Sequence, residues 1–477
     1  MAASIRPSGV FDTQYTQDIA LNRTRGEKRQ MWLAFGLLLL VPLLTIEGPI
    51  GAWLNSIQIG ALPTLWVGLI SRIAIYAIAV QGLNMLMGYT GQISLGHAAF
   101  MGIGAYSAAV MARELGLPFW VAVPLAALFT GVIGLLFGIP SLRVKGFYLA
   151  MATLAAQFII PWVLRYPLEP LTNGSRPLEV PAPLIEFSSY SDYSASVTNG
   201  TPSSYIFQRN PSFLSDVVRV TTVSSGAAPR VSVSTRSGQT LLTTPLTDGQ
   251  DNVIGLQFIA SGEDIYIITA EPAADTLYRL DVRVNQAVNF SQQNAMYYII
   301  VPVSVLMFLV ARNIIRSRVG RAFISIRDND LAAELLGINV FSYKLQAFFL
   351  SSLYAGLAGA LWAFDTGTLS IDKFTLTLSI EFLAMLVIGG AGFPLGAVMG
   401  VTFISLLSQY LIPALLPVLN SFLPALLPFI NAVNLQAALS PTLFGLAIAL
   451  FLIIEPRGLA YRWEILKIAW KIRPYAY

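Results

Sequence analysis

Gly88-Tyr-Thr-Gly-Gln-Ile-Ser-Leu-Gly-His-Ala-Ala-Phe-Met-Gly-Ile-Gly-Ala-Tyr106 is the stretch on which the fold turns. It lies between two strongly apolar runs, yet it is dense in Gly, Ala, Ser and Thr and holds His97, the single histidine of the chain. Small residues let helix backbones approach closely in a bilayer, where packing rather than expulsion of water drives association. Polar groups at that depth tend to face protein or a water-filled path. Two readings follow. The stretch lines a channel or transporter, or it is a tight helix contact in which Gly88, Gly91, Gly96, Gly102 and Gly104 permit close approach and His97 is a hydrogen-bonded packing residue.

Composition places the rest of the chain in the same setting. Hydrophobic residues make up 55% and charged residues 11%, against about a quarter charged in an ordinary soluble domain. The sequence is that of an integral membrane protein. Its net charge of +4 comes from basic residues gathered in a few loops, a topology signal rather than a nucleic-acid footprint. With no cysteine and one histidine, disulfides, thiolate chemistry and multi-histidine metal sites are excluded within one chain. No phosphate-binding G-x-x-x-x-G-K-[S/T] loop occurs, so the chain has no P-loop of its own.

A span needs about 20 mostly apolar residues. Candidates are Met31–Ile46, Leu62–Met87, the quoted stretch carried on to Met111, Phe119–Ile139 and Gly146–Leu164; after a long polar interval come Met296–Val310, Leu345–Ala363, Phe374–Ile388, Pro394–Leu411 and Pro441–Ile454. The expected fold class is an all-α polytopic membrane protein of about ten transmembrane helices with a β-rich extracytoplasmic insertion. Its expected parts are a cytoplasmic arm 1–30, a first transmembrane half 31–165, the insertion 166–293, a second half 294–463 with a cytoplasmic loop 312–344, and a cytoplasmic tail 464–477. Alternation from a cytoplasmic N-terminus puts every basic cluster inside: the arm, Arg143-Val-Lys145, the 312–344 loop and the tail. The arm is far longer than the n-region of a cleaved signal peptide, so the first span is expected to be an uncleaved anchor.

In the insertion, runs such as Arg230-Val-Ser-Val-Ser-Thr-Arg236 and Asp264-Ile-Tyr-Ile-Ile-Thr269 alternate between turn signals and read as strands; the part before about Ser215 is expected to be looser. Pro413-Ala-Leu-Leu-Pro417 recurs as Pro424-Ala-Leu-Leu-Pro428. Prolines this frequent break a continuous span, and short interfacial helices are expected there. In the cytoplasmic loop, Asp328-Asn-Asp-Leu-Ala-Ala-Glu-Leu-Leu-Gly337 reads as a short amphipathic helix. Asp328 and Asp330 suit its N-terminus, Leu331, Leu335 and Leu336 form its apolar side, and Gly337 suits the position after it. Its apolar side fits a partner's groove or the membrane surface, and periodicity alone does not choose.

Resemblance chooses. Gly88–Tyr106 resembles the signature of the membrane-spanning permease subunits of branched-chain amino-acid ABC importers. So do Pro140-Ser-Leu-Arg-Val-Lys-Gly-Phe-Tyr-Leu-Ala-Met-Ala-Thr-Leu154, the loop Arg318–Lys344, Gly389-Gly-Ala-Gly-Phe-Pro-Leu-Gly396 and Glu455-Pro-Arg-Gly-Leu459. The resemblance covers nearly all of 62–166 and 295–463. It implies a transport subunit rather than an enzyme, without cofactor or metal, in a bacterial inner membrane. Implied partners are a second, related permease, two cytoplasmic P-loop ATPases, a periplasmic substrate-binding protein and the lipid bilayer, with no nucleic acid. It makes Asp328–Gly337 the ATPase-coupling helix, with Arg321, Arg327, Asp328 and Glu334 as polar contacts and Gly337 as terminator. The expected substrate path is Gln92, Ser94 and His97, polar groups in a small-residue helix, with Thr90, Thr153 and Gln157 as further candidates. Urea and short amides are carried by close relatives, so the substrate stays open, and an ATP-independent secondary transporter or channel is the other function class. The long insertion and the doubled Pro-Ala-Leu-Leu-Pro segment depart from the family pattern.

Overall fold

The computed structural model describes residues 65–142, 148–181, 293–411 and 457–472 continuously, strands within 183–289, and separate positions among 36–41, 413–414 and 445–455. The basic arm, nearly all of the first expected span, the Arg143-Val-Lys145 loop, most of the doubled Pro-Ala-Leu-Leu-Pro segment and much of the tenth span lie outside the described residues. The chain divides into two compact units, Met1–Pro181 with Gln293–Tyr477, and Ala182–Gln292.

The first unit is helical. Leu65–Leu83 (α1) continues into a π-turn over Asn84–Gly88, followed by His97–Glu114 (α2), Phe119–Leu142 (α3), Tyr148–Arg165 (α4) and the short Glu169–Thr172 (α5). Strand Leu178–Glu179 (β1) belongs to this unit as well. After the second unit come Gln293–Arg316 (α6), Arg318–Asp328 (α7), Asp330–Leu335 (α8), Val340–Thr366 (α9), Leu376–Gly389 (α10), Gly396–Leu406 (α11) and Leu459–Ile472 (α12). Among the described residues four segments are long and apolar enough to cross a membrane: Leu65–Gly88, Phe119–Ile139, Met296–Arg316 and Val340–Thr366. Shorter apolar helices cover Ala150–Arg165 and Gly396–Tyr410. The expected tail from 464 is the continuation of helix α12.

Helix α9 is the axis. Asn339 caps its start by accepting the Ser342 N–H at 3.0 Å, and Gly367, at φ +69°, ends it. Its 27 residues extend about 40 Å, enough to cross a bilayer. Protein buries 72% of its most apolar window, against 28% for α6, so α9 is central and α6 peripheral. Three helices reach it at small residues. A Cβ on Gly104 of α2 would meet the Gly356 backbone, and one on Gly359 would meet the Met101 carbonyl. Thr130 of α3 closes on Gly356, and Gly82 of α1 on Tyr354 and Ser351. Backbone-to-backbone approach of this kind replaces hydrophobic drive inside a bilayer.

One expected span is corrected. The stretch from Gly88 is not one helix: residues 91–96 are non-helical, and α2 begins only at His97. Gly91 sits at φ +71°, a conformation costly for residues with a Cβ, and that turns the chain out of the helix. Hydropathy hid this break because the apolar helices on either side dominate any window long enough to read a span.

The second unit is two antiparallel sheets. Strands Leu184–Phe187 (β2), Tyr193–Val197 (β3), Ser203–Gln208 (β4), Ser215–Ser224 (β5), Arg230–Thr235 (β6), Thr244–Thr247 (β7), Val253–Ala260 (β8), Ile265–Glu271 (β9) and Tyr278–Asn289 (β10) follow in order. One sheet runs β2-β10-β5-β8-β7, with β3 also on β10, and the other runs β4-β9-β6. Val218, Val220, Leu256 and Phe258 of the first sheet meet Val233, Tyr266 and Ile268 of the second in one core, the alternation of a sandwich. The stretch before Ser215, expected to be looser, carries β2, β3 and β4, because β10 and β9 supply their backbone partners.

The α2–α9 crossing has a direct test. Gly104→Leu should lower folding stability by about 3 kcal/mol or more, since only backbone stands in the way and backbone cannot yield. Thermal unfolding in detergent, followed by tryptophan fluorescence, reads this out; a variant that melts with the wild type would remove the crossing from the account of the fold.

Candidate functional site

A helix that starts inside an apolar bundle leaves its first N–H groups without partners. At α2 other helices supply them. The Leu95 N–H donates to Thr153 Oγ1 at 3.0 Å, the Ala98 N–H to Ser379 Oγ at 2.9 Å, and the Ala99 N–H to Gln157 Oε1 at 3.1 Å. Ser379 Oγ itself donates to Gln157 Oε1 at 2.8 Å, and Gln157 Nε2 donates to the Phe374 carbonyl at 2.8 Å. Thr153 donates back to Ala150 of its own helix. Gly96 lies so close to the Thr153 carbonyl that any Cβ there would collide with it.

The break has a definite depth. His97 is 1% exposed; its Nε2–H donates to the Ala79 carbonyl at 2.8 Å, and its ring meets Phe382 edge-on at 6.0 Å. Ala79 is nine residues before Gly88, about 13 Å along the helix, and residues 91–96 in extended form span up to about 20 Å. The chain therefore descends α1, turns at Gly88–Gly91, climbs back beside it and resumes as helix at the level of Ala79. Along the climb Gln92, Ser94 and Gly96 are buried, whereas Gly91 and Ile93 are exposed, the two-residue period of extended backbone.

Motifs far apart in sequence meet at the Gly88 end of the bundle. Asn84 donates to the Phe393 carbonyl at 2.9 Å and accepts the Gly392 N–H at 2.8 Å. Arg327 Nη1 donates to the Gly88 carbonyl at 2.9 Å, its side chain lies against Gly91, and it pairs with Asp328 at 3.2 Å. Gln92 Nε2 reaches Thr90 Oγ1 at 2.9 Å and the Lys344 carbonyl at 3.4 Å, while Thr90 donates to Leu86 at 2.5 Å. Lys344 in turn pairs with Asp330. Gly458 packs on Gly390, and Arg457 stacks over Tyr461 at 5.0 Å.

The amphipathic helix begins later than its sequence suggested. Asp328 closes α7; Asn329 is the cap of α8, accepting the Leu331 and Ala332 N–H groups at 3.0 and 3.1 Å. An amide oxygen two and three residues upstream satisfies those donors in a way Asp328 cannot reach. Gly337, at φ +82°, ends the helix. Leu331, Leu335 and Leu336 are 63%, 89% and 79% exposed, a bare apolar tip, and Glu334 is exposed beside them; Arg321 lies on the exposed side of α7.

At the opposite end β1 pairs with Thr368–Leu369 (β11), and Arg165 Nη2 bonds Asp372 Oδ1 at 2.5 Å. Beneath this pair a cleft of about 380 Å³ runs between α4 and the start of α10, with Gln157, Phe158, Trp162 and Phe374 in its walls. A second, apolar cleft of about 430 Å³ lies among α2, α3 and α4.

The profile described as the permease component of branched-chain amino-acid transport systems matches residues 65–433. The chain belongs to that family. It is 28% identical over 322 residues to the high-affinity branched-chain amino-acid transport system permease protein LivM of Salmonella typhimurium, and 27% identical over 322 residues to LivM of Escherichia coli. Each match covers 67% of this chain and 57% of the relative. No solved structure matches. The family is one of transport permeases, not of enzymes, and with its apolar helices the chain is a multi-pass membrane protein.

In this permease the residues singled out in the sequence fall into two groups. Thr90, Gln92, Ser94, His97, Thr153 and Gln157 are all buried around the break, and of these only Gln157 lines one of the two clefts. Gly88 abuts Gly392, and Gly102 abuts the Phe374 ring. Arg72 and Glu381, both within expected spans, form no ion pair with each other. Asn84, Ser379, Asn329 and Lys344 escaped sequence reading. Asn84 was visible as a polar residue inside an apolar run, as was Gln81, buried with both amide atoms unpartnered among the described residues.

The cap network makes a quantitative forecast. Ser379→Ala and Gln157→Ala should each destabilise the permease by about 1–2 kcal/mol, and the double variant by less than the sum, because the two side chains also bond each other. Thermal unfolding of the three variants checks this; strict additivity would separate the two caps.

Proposed function

We propose that this chain is one permease subunit of an ATP-driven importer that carries branched-chain or other neutral amino acids across a bacterial inner membrane. It works with a second, related permease, two cytoplasmic ATPases and a periplasmic binding protein. The observation that carries the reading is the convergence at the Gly88 end. The glycine-rich stretch, the α7–α8 loop, the Gly389–Gly396 turn and the Glu455–Leu459 motif, far apart in sequence, are joined there by Asn84, Arg327 and Gly390. Beside them stands a helix whose leucines are largely exposed. A solvated apolar tip suits a groove on a partner.

In this reading the Gly88 end is cytoplasmic, both termini lie on that side, the spans number about ten, and the β-rich insertion of about 166–293 is extracytoplasmic. Helix α8 is the coupling element, with Arg321, Arg327, Asp328 and Glu334 around it and Gly337 at its end. ATP-driven closure of the ATPases displaces α8 as a rigid lever; the bias between states comes from the different affinity of ATP for the two ATPase arrangements. The lever reaches the membrane interior by contiguous contacts, Arg327 to Gly88 and Asp330 through Lys344 to Gln92. Thr90, Gln92, Ser94, His97 and Thr153 then act on transport by holding the break in shape, and Gln157 joins the break to a cleft.

The assembled complex tests this. Leu335→Asp or Glu334→Arg should leave the subunits co-purifying and cut substrate-stimulated ATPase activity at least tenfold, because a charge placed in or against an apolar groove costs about 1.4 kcal/mol or more. Purification without any ATPase, or full coupling in both variants, would return the chain to the ATP-independent class. Uptake of labelled leucine competed with urea decides between the two substrate groups of the family.

A further inference from the structure

The cleft at the Arg165 end has the chemistry of a recognition site. Its mouth carries one cation and one anion in contact: Arg165 Nη2 and Asp372 Oδ1 at 2.5 Å. The Asp372 side chain is 72% exposed and that of Arg165 31%, so both can be reached from solvent. Arg165 Nε, however, is buried and has no hydrogen-bond partner among the described residues. An unmet guanidinium N–H is costly, and it is met when a carboxylate takes the fork of the guanidinium in bidentate fashion.

Below the pair, Phe158 and Trp162 are each more than half exposed and line the cleft, an apolar wall for a side chain of a few carbons. The cleft continues to Gln157, about 12 Å along α4 from Arg165. There it meets the cap network of α2. Pro161, inside α4, has no N–H, so the Gln157 carbonyl lacks its usual helical donor. Non-helical backbone at membrane depth occurs where it is buried in protein or lines a cavity, and interrupted helices mark the substrate sites of transporters.

Resting on the importer reading, we propose that this cleft binds a neutral zwitterionic amino acid. Its carboxylate takes the Arg165 guanidinium, its ammonium takes the Asp372 carboxylate, and its apolar side chain lies on Phe158 and Trp162. A ligand with a single charge opens the pair and leaves one member uncompensated, and that penalty is the source of specificity. Trp, Tyr and Arg at a helix end also form interfacial belts. A belt requires neither a carboxylate paired to the arginine nor a cleft leading to the broken helix, so the zwitterion is the better-supported occupant.

Equilibrium binding of tritiated leucine to the purified complex, without binding protein, tests the proposal. The competitors are 4-methylpentanoate, which lacks the ammonium, and 3-methylbutylamine, which lacks the carboxylate. Asp372→Asn and Arg165→Gln should each weaken leucine about tenfold. Asp372→Asn should narrow the preference for leucine over 4-methylpentanoate, Arg165→Gln that over 3-methylbutylamine, and Arg165→Lys should recover part of the affinity. Wild-type affinity and preferences in both variants overturn the site. So does their full restoration by the exchanged pair Arg165→Asp/Asp372→Arg, which makes the pair a brace, and so does leucine binding that is lost with a change of lipid headgroup rather than with either side chain. Absence of saturable leucine binding in a wild-type complex that takes up leucine overturns this site alone; a complex that takes up no amino acid overturns the importer reading with it.

Discussion

The rest of the structure depends on the need to satisfy the first N–H groups of a helix that begins inside the bundle. Water is not available there to do it, and an unpaired backbone donor in an apolar medium costs several kcal/mol. Ser379 and Gln157 meet the demand at Ala98 and Ala99, and Thr153 meets it at Leu95. These caps come from α10 and α4, so one local requirement fixes three helices against each other. It also explains why Thr153, Gln157 and Ser379 persist in otherwise apolar helices: each is held by a bond that lipid could not replace.

The same break supplies a mechanical element. A six-residue non-helical run, 91–96, connects the Gly88 end to the level of Ala79, and both ends of that connection are gripped. Arg327 holds the Gly88 carbonyl, and His97 holds the Ala79 carbonyl. A continuous helix in its place would need to slide as a whole against the close-packed Gly104–Gly356 contact, where a Cβ on Gly104 would meet the Gly356 backbone. In the importer reading, a non-helical run between α1 and α2 separates the Gly88 end from the helix crossing at the core.

Much of this was legible in the sequence, and the misses have a common cause. Apolar runs of sufficient length gave α1, α3, α6 and α9, and alternation gave strands such as β6 and β9. The motifs that meet around Gly88 were recognised one by one. Their meeting was not readable, because it rests on side chains such as Asn84 and Lys344 whose partners lie hundreds of residues away. The break at Gly91–Gly96 was masked because the apolar helices on either side dominate any window long enough to read a span; the positive φ of Gly91 marks it. Asp328 and Asn329 are both good caps by composition, and the choice fell to Asn329 because α7 runs on through Asp328. The strands before Ser215 depended on β9 and β10 for pairing, which no local pattern reveals.

The bookkeeping of hydrogen bonds then divides the polar residues by what they are able to do. Gln157 has both amide atoms committed, Thr153 both donates and accepts, and His97 has given its Nε2–H to Ala79. A substrate that bound these groups would first have to break bonds that hold the fold, at a cost comparable to what it gained. Unmet capacity remains in two places: within the stretch at Gln92 Oε1 and the Tyr89 and Tyr106 hydroxyls, and at the far end of α4 at the Nε of Arg165, the exposed carboxylate of Asp372 and the Gln157 carbonyl below Pro161. His97, Thr153 and Gln157, whose bonds hold the fold, are therefore framework rather than ligands. The chemistry for holding a zwitterion sits at the far end of α4, where polar atoms are still available to it.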